Sequence, residues 1–113
     1  MLYFAYGSNL NHAQMKSRCI ESKYIKKFTL RGYKLKFSYR DPKEPYGYAN
    51  IEKKKGSKVP GAIWNITKSD ELELDRYEGV KNGFYDKEYF TWKGNKVLLY
   101  IQRGYTKKKP HTK

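Results

Sequence analysis

The sequence predicts an α+β fold, a small mixed, mostly antiparallel, barrel-like β-sheet with two short helices. Aromatic residues make up 17% of the chain and include 12 tyrosines, and aromatic side chains favour strands. Helix start and stop signals bound only two short segments, residues 11–18 and 70–77. The 113 residues contain no internal repeat or linker, which predicts one domain at residues 1–105 and a basic tail at 106–113.

The opening of the chain predicts a strand, a tight turn and a helix in quick succession. Residues 1–5 form an apolar run typical of a buried strand, and Asn11 suits the N-cap of the helix over 11–18. Because the first N–H groups of a helix are unpaired and Gly7 permits a positive φ, the turn between them can receive a carboxylate or a phosphate. A plain connection closed by a glycine is the simpler interpretation of this turn on its own. The turn consists of Tyr6, Gly7, Ser8, Asn9 and Leu10.

A half-buried strand is predicted over residues 33–39, where apolar and polar side chains alternate. Gly32, directly before it, suggests a bulge or a bend. One face of this strand is expected to carry Tyr33, Leu35, Phe37 and Tyr39, and the other Lys34, Lys36 and Ser38.

Four further strands are predicted from apolar runs bounded by turn residues. A turn at Lys55–Lys58 separates the second of them from the first, and Gly94-Asn95 marks a hairpin turn between the last two. These strands are predicted at residues 48–51, 59–66, 84–92 and 96–102.

The second helix is predicted over residues 70–77, with Ser69 as its N-cap. Leu74 and Tyr77 are expected on one side of this helix because they are three residues apart. Gly79 occupies the C′ position that commonly ends a helix.

The formal net charge of +14 raises the possibility of a nucleic-acid partner. Lysine heavily outnumbers arginine, however, and arginine is the better reader of bases and phosphates. The densest lysine runs, at 53–55 and 107–109, lie in a predicted loop and in the tail. A lysine-rich surface that keeps the chain dissolved is therefore the favoured interpretation, and a nucleic-acid partner is not expected.

Cys19 is the only cysteine, so neither an internal disulfide nor a cysteine zinc site can form, and we expect Cys19 to be a buried filler. His12 and His111 form no ligand pattern and are interpreted as ordinary surface residues. The opening apolar run lacks the features of a secretory signal, and no stretch approaches the about 20 apolar residues of a membrane span. A cytoplasmic location and no membrane partner are therefore expected.

Glu78 is the acidic residue best suited to acid–base chemistry. It lies at the predicted end of the second helix, where the negative end of the helix dipole disfavours an ionised carboxylate. The neighbours Tyr77 and Val80 would also desolvate it, and both effects would raise its pKa towards neutrality. An exposed glutamate that merely closes a helix is the simpler interpretation when Glu78 is considered alone.

Four motifs taken together resemble the γ-glutamylcyclotransferase family, including its γ-glutamylamine cyclotransferase and AIG2-like members. The resemblance runs from residue 1 to about residue 102. In chain order the motifs are Tyr-Gly-Ser-Asn-Leu at 6–10, Val-Pro-Gly-Ala-Ile-Trp at 59–64, Leu-Asp-Arg-Tyr-Glu-Gly-Val at 74–80 and Gly-Phe-Tyr at 83–85.

The resemblance implies the γ-glutamylcyclotransferase-like fold, with the active site in a surface cavity. It implies that the opening turn holds the γ-glutamyl group of a small-molecule substrate, that a glutamate is the acid/base residue, and that a tyrosine of the last strand lines the pocket. No metal and no organic cofactor is expected. The residues that match these roles are Tyr6, Gly7, Ser8, Asn9 and Leu10 for binding, Glu78 for catalysis and Tyr100 for the pocket wall.

The activity implied is the release of 5-oxoproline and a free amine or amino acid from a γ-glutamyl compound. Two alternatives stay open: a non-catalytic protein of the same fold that binds a small anion and, less favoured, a basic nucleic-acid-binding module. Many family members continue past the last strand with a second tyrosine-bearing segment, whereas here Gly104-Tyr105 and a lysine-rich tail follow. The substrate and the oligomeric state are therefore left open by the sequence.

Overall fold

The computed structural model describes residues 1–7, 12–38 and 48–102. In this part of the chain, five strands form one sheet and two α-helices accompany it, in agreement with the predicted fold class, although the strands predicted at 48–51 and 59–66 are parts of one strand. No helix within the described ranges is long and apolar enough to cross a membrane. The elements are β1 (Leu2–Ala5), α1 (His12–Arg18), β2 (Lys23–Ser38), β3 (Tyr48–Asn65), α2 (Lys68–Tyr77), β4 (Tyr85–Trp92) and β5 (Asn95–Gln102).

Strand β1 lies at the centre of the sheet, whose strand order is β2-β3-β1-β5-β4. It pairs antiparallel with β3, where Phe4 lies opposite Ile63, and parallel with β5, where Tyr3 lies opposite Leu98. All the other pairings are antiparallel, so the sheet is mixed and mostly antiparallel as expected. The apolar run at the start of the chain is buried because β1 has neighbours on both sides and side chains packed on both faces.

The two faces of the sheet bury separate apolar clusters. Tyr3, Ala5 and Trp64 lie in the cluster that the helices cover through Met15 and Leu74. The second cluster lies on the opposite face of the sheet and has no helix in it. It consists of Phe4, Leu30, Ile51, Val59, Ile63, Val97 and Leu99.

The sheet curls until aromatic rings from its two edge strands meet. Phe28 of β2 stacks on Phe90 of β4 with 5.8 Å between ring centroids, and its edge meets Trp92 at the same distance. No backbone pairing joins β2 to β4 among the described strands, so the sheet is curved but not closed. The barrel-like shape therefore depends on side-chain packing at the seam.

The predicted turn at Lys55–Lys58 is wrong, because β3 runs without a break from Tyr48 to Asn65. The pairing of β2 with β3 shifts register here, and Gly32 stands opposite residues 54–57. Gly32 and Gly56 both have positive φ, at 84° and 86°. These glycines let the strand continue through a bulge, which confirms the bulge predicted at Gly32.

The alternation expected for residues 33–39 holds at residues 35–38, but the burial expected for its two faces is wrong there. Leu35 and Phe37 are 45% and 56% exposed on the edge strand, whereas Ser38 is fully buried. Ser38 is buried because its Oγ accepts a 2.8 Å hydrogen bond from the amide of Asn50, whose side chain also bonds both backbone groups of Gln102. This polar link ties β3 to β5. Tyr39 lies outside the described residues.

Helix α2 is capped by Thr67, two residues before the predicted Ser69. The Thr67 hydroxyl accepts from the Asp70 N–H at 3.1 Å, and the Asp70 carboxylate accepts from the Thr67 N–H at 3.0 Å. This reciprocal capping box satisfies two otherwise unpaired donors. At the other end, Gly79 has the left-handed φ of 65° expected of a C′ glycine.

Leu74 and Tyr77, which were expected on one side of α2, differ in burial. Leu74 is fully buried, but Tyr77 is 54% exposed and lies under the guanidinium of Arg18, 4.4 Å from the ring centroid. The C-terminal hairpin forms as expected, with its turn one residue earlier, at Lys93-Gly94. Both of these residues have positive φ, which matches the twist of a two-residue hairpin loop.

We predict that Thr67→Ala lowers the free energy of unfolding by about 1 kcal/mol, because it removes the side-chain acceptor of the capping box. Ser69→Ala is the matched control, since Ser69 lies in the first turn and is not the cap. Urea unfolding of both variants measures the difference. A larger loss in Ser69→Ala than in Thr67→Ala would contradict this assignment of the cap.

Candidate active site

The carboxyl ends of the two parallel strands meet at one edge of the sheet. Tyr6 and Gly7 directly follow β1, and Tyr100 lies near the end of β5. The Tyr6 hydroxyl donates a hydrogen bond to the backbone carbonyl of Tyr100, which ties the two strand ends together. Such an edge is where open sheets with parallel strands commonly bind ligands.

The backbone at Gly7 makes a close approach that only glycine permits. Its φ is +67°, and a Cβ on it would lie 2.8 Å from the Cβ of Ala49 in β3. The carbonyl of Ala49 accepts a 2.8 Å hydrogen bond from the Tyr85 hydroxyl at the start of β4. The turn after β1 therefore packs against β3 at a point that β4 also holds. Ser8, Asn9 and Leu10 lie outside the described residues.

Tyr100 is buried beneath α2. Its hydroxyl donates to the Asp75 carboxylate at 2.7 Å, and its ring meets Tyr3 edge-on with 5.9 Å between centroids. Burial raises the pKa of the Tyr100 hydroxyl, and the hydrogen bond to Asp75 and the nearby negative charge raise it further. The phenol is therefore neutral at physiological pH and keeps its proton on the bond to Asp75.

Glu78 is the C-cap residue of α2, with φ −81° and ψ −5°. Its N–H donates to the Leu74 carbonyl at 2.8 Å, so its backbone is fixed by the last turn of the helix. Burial is the main cause of the raised pKa values of Tyr6 and Tyr100; neighbouring tyrosines and, for Tyr100, Asp75 come next, and the charge of Glu78 adds a smaller contribution to both. Three of the residues predicted for the site, from segments far apart in the sequence, thus lie within electrostatic reach of one another.

Gly79 holds the chain that follows Glu78. A Cβ on Gly79 would lie 2.6 Å from the ring of Phe84, so the turn after α2 packs closely only with glycine. Two residues of the motif at 74–80 therefore have a clear structural role. Leu74 is buried in the core, and Gly79 allows the chain to reverse.

A group of charged residues next to Tyr100 was not predicted from the sequence. The Lys87 ammonium bonds Glu71 and lies 3.0 Å from Asp75, whose other oxygen receives the Tyr100 hydroxyl. The i, i+4 spacing of Glu71 and Asp75 on a predicted helix was an available signal for a paired cation. Lys87 has no local signal that separates it from the other lysines.

The two histidines and the cysteine, for which no functional role is predicted, are considered next. His12 is exposed, and its ring packs against those of Tyr24 (tilted) and Trp64 (edge to face), with 4.5 and 5.1 Å between ring centroids. Cys19 is buried as predicted, and burial, with a contribution from the Asp70 charge, raises its pKa to about 12. His111 lies outside the described residues. Within residues 1–7, 12–38 and 48–102, no group of three His, Cys, Asp or Glu side chains could hold a metal ion.

Comparison with known proteins gives a consistent result. A family model described as gamma-glutamyl cyclotransferase, AIG2-like, matches residues 3–112. The gamma-glutamylcyclotransferases of Bos taurus and Homo sapiens are each 36% identical over 88 residues, which cover 74% of this chain and 47% of the relative. The chain thus spans about half the length of the curated relatives it matches.

Solved structures agree with the sequence matches. One of a gamma-glutamyl cyclotransferase superposes with a TM-score of 0.81 at 31% identity, covering 93% of this chain and 68% of that one. A human protein, described as uncharacterized protein loc79017, gives the same TM-score at 32% identity, with 92% and 67% covered. A Pyrococcus horikoshii protein at 19% identity and TM-score 0.65 covers 96% and 86% and shares the fold. The chain belongs to the gamma-glutamyl cyclotransferase, AIG2-like family.

Proposed function

We propose that the protein releases 5-oxoproline from a γ-glutamyl compound, with a free amine or amino acid as the second product. The observation that supports the proposal is that the ends of β1 and β5 are joined by the hydrogen bond from Tyr6 to Tyr100, while α2 ends at Glu78, close enough for its charge to act on both phenols. Family membership supports this reaction class, and the curated relatives are named gamma-glutamylcyclotransferases.

In the proposed reaction the α-amine of the γ-glutamyl group attacks its own γ-carbonyl carbon. A new C–N bond closes the five-membered ring, and the bond from that carbon to the leaving amine breaks. Nucleophile and electrophile belong to one molecule, so the protein has mainly to fold the substrate and to move protons. Holding such a near-attack geometry contributes up to about 7–11 kcal/mol in ideal cases.

Glu78 is the proposed general acid and base. As a carboxylate it takes a proton from the α-ammonium, which frees the lone pair that attacks. The same carboxyl group then gives that proton to the departing amine as the C–N bond breaks. The ring nitrogen loses its second surplus proton to the regenerated carboxylate, which passes it to the released amine, so the amine leaves as an ammonium ion and the protein returns to its starting state. Its place at the C-terminal end of α2, where the helix dipole disfavours negative charge, suits a group that must alternate between the two forms.

The turn from Tyr6 to Leu10 is the proposed binding site for the α-carboxylate of the substrate. Backbone N–H groups at a turn that leads into a helix are suited to an anion, and the close approach at Gly7 sets where the ligand meets the backbone. Tyr100 is proposed as part of the pocket wall. The net charge of +14 would also raise the local concentration of an anionic substrate.

The first prediction from this proposal concerns Glu78. We expect Glu78→Gln to lower kcat/KM by about 10²–10⁴-fold, because it keeps the shape of the side chain and removes its ability to carry a proton. Glu73→Gln is the matched control, since Glu73 lies on the same helix and is 42% exposed in a pair with Arg76. The assay measures 5-oxoproline by mass spectrometry across a panel of γ-glutamyl dipeptides and γ-glutamylamines.

Three outcomes of that assay separate the hypotheses. Product from wild type and Glu73→Gln, with almost none from Glu78→Gln, supports the proposal. Equal rates in all three proteins would show that Glu78 is not the acid/base residue. No product from any substrate, combined with binding of a γ-glutamyl compound, would favour the small-anion-binding alternative.

The second prediction concerns Gly7. Gly7→Ala is expected to raise KM by about tenfold, equivalent to about 1.4 kcal/mol, because the new methyl group overlaps Ala49 and displaces the turn. Ala49→Gly in the same chain removes the overlap and is expected to recover part of the loss, while the unfavourable φ remains. Steady-state kinetics of the single and double variants give the comparison. Unchanged KM in Gly7→Ala would contradict a binding role for this turn.

The third prediction concerns metals. The proposed mechanism uses only protein groups, so activity is expected to stay within experimental error after prolonged dialysis against EDTA. Loss of activity on dialysis, with recovery on adding back a divalent cation, would contradict it.

A further inference from the structure

Lys87 of β4 is placed where its side chain joins β4 to α2. Its side chain is only 22% exposed, and its ammonium contacts two carboxylates one helical turn apart on α2, Glu71 and Asp75. Five of the 11 acidic residues of the chain lie within 68–78, namely Asp70, Glu71, Glu73, Asp75 and Glu78. Lys87 is therefore a half-buried cation in the most acidic part of the protein.

The contacts continue from Lys87 into the candidate site. Asp75 uses one oxygen for Lys87, at 3.0 Å, and the other for the Tyr100 hydroxyl, at 2.7 Å. The backbone carbonyl of Tyr100 then receives the hydroxyl of Tyr6, the residue before Gly7. A series of hydrogen bonds thus runs from β4 through α2 and β5 to the turn after β1, and its two halves are joined covalently within Tyr100, from its hydroxyl to its backbone carbonyl.

The charged contacts indicate which group donates each hydrogen bond in this series. Burial opposes the charged form of Lys87, but its hydrogen bonds to Glu71 and Asp75 outweigh that effect and raise its pKa. The hydrogen bond from Lys87 likewise lowers the pKa of Glu71. Because an ionised carboxylate only accepts hydrogen bonds, the Tyr100 hydroxyl must donate to Asp75. Its proton is then turned towards Asp75, which fixes the orientation of the phenol.

We propose that Lys87 is a positioning residue of the site, which acts through Asp75 to fix Tyr100 and, through the Tyr100 backbone, Tyr6. It touches neither the substrate nor a reacting atom in this proposal. The inference rests on the proposed cyclisation for its kinetic consequence, but the contact series itself can be tested without turnover.

Lys68 supplies a matched control, because it also pairs with Glu71, at 3.5 Å, but its side chain is 83% exposed. Among the ion pairs of the described residues Lys68 is joined to Glu71 and not to Asp75. A variant at Lys68 therefore removes a lysine from the same carboxylate without touching the series that reaches Tyr100.

The test compares Lys87→Met, Lys87→Arg and Lys68→Met with wild type. Methionine has an unbranched side chain of similar length without the charge, and arginine keeps the charge. The first measurement is the NMR signal of the phenolic carbon of Tyr100 in protein with isotope-labelled tyrosine, assigned with Tyr100→Phe. The second is kcat and KM, measured separately for 5-oxoproline formation at a temperature where every variant is folded.

We expect the Tyr100 signal to move in Lys87→Met and to stay near its wild-type position in Lys87→Arg and Lys68→Met. We expect kcat in Lys87→Met to fall by about 10–100-fold, since a displacement of about 1 Å in a site can have that effect. Lys87→Arg is expected to recover most of the rate, and Lys68→Met to match wild type. A merely structural role would leave the folded variant's kcat and the Tyr100 signal unchanged.

The outcomes for the two proposals are distinguishable. An unmoved Tyr100 signal and unchanged kcat in Lys87→Met would overturn the positioning role while leaving the cyclisation intact. A moved signal without any 5-oxoproline from wild type would support the contact series and contradict the cyclisation. If Lys87→Met fails to fold because two carboxylates are left facing each other, Glu71→Gln/Lys87→Met removes that repulsion and is measured in the same way against Glu71→Gln alone.

Discussion

The parallel pairing of β1 with β5 is the constraint on which the candidate site depends. Leu2 and Tyr3 pair with Val97 and Leu98, so the carboxyl ends of the two strands lie side by side. Without that register, Tyr6 and Tyr100 would not be joined by a hydrogen bond. β1 pairs in this way at the centre of the sheet, where the buried side chains on both of its faces fix its register.

Helix α2 supplies the acidic side of the site, and its position is fixed at both ends and in the middle. The capping box of Thr67 and Asp70 sets its start, and Gly79 ends it directly after Glu78. Between them Asp75 joins the helix to β5 through Tyr100. Asp75 lies about one turn before Glu78, so its contact with Tyr100 fixes the end of the helix that carries the proposed acid/base residue.

Local signals predicted much of the fold. The apolar opening run, the first helix, the C-terminal hairpin and the ending of α2 at Gly79 all follow from residues adjacent in sequence. The ordered motifs were sufficient to identify the family, which the family model and the curated relatives confirm. The cap of α2 was assigned to Ser69, but the sequence contained the signal for Thr67. The Thr-x-x-Asp spacing at Thr67 predicts a reciprocal capping box that Ser69 cannot form.

Two of the errors concern interactions between distant segments, and one concerns a local signal with two meanings. Alternation alone could not show that Ser38 would be buried by the amide of Asn50 while Phe37 stayed exposed on an edge strand. The contact of Lys87 with Asp75 depends on how β4 lies beside α2, which no local pattern reports. The predicted turn at Lys55–Lys58 failed because a glycine there can continue a strand through a bulge as well as end it.

The most direct test of the central claim is a crystal structure of the Glu78→Gln protein soaked with a γ-glutamyl compound that wild type turns over. We predict that the α-carboxylate of the ligand lies on the backbone at Gly7, with its γ-carbonyl carbon and α-nitrogen beside residue 78 and Tyr100. A ligand bound elsewhere on the protein, with the edge formed by the ends of β1 and β5 left empty, would contradict it.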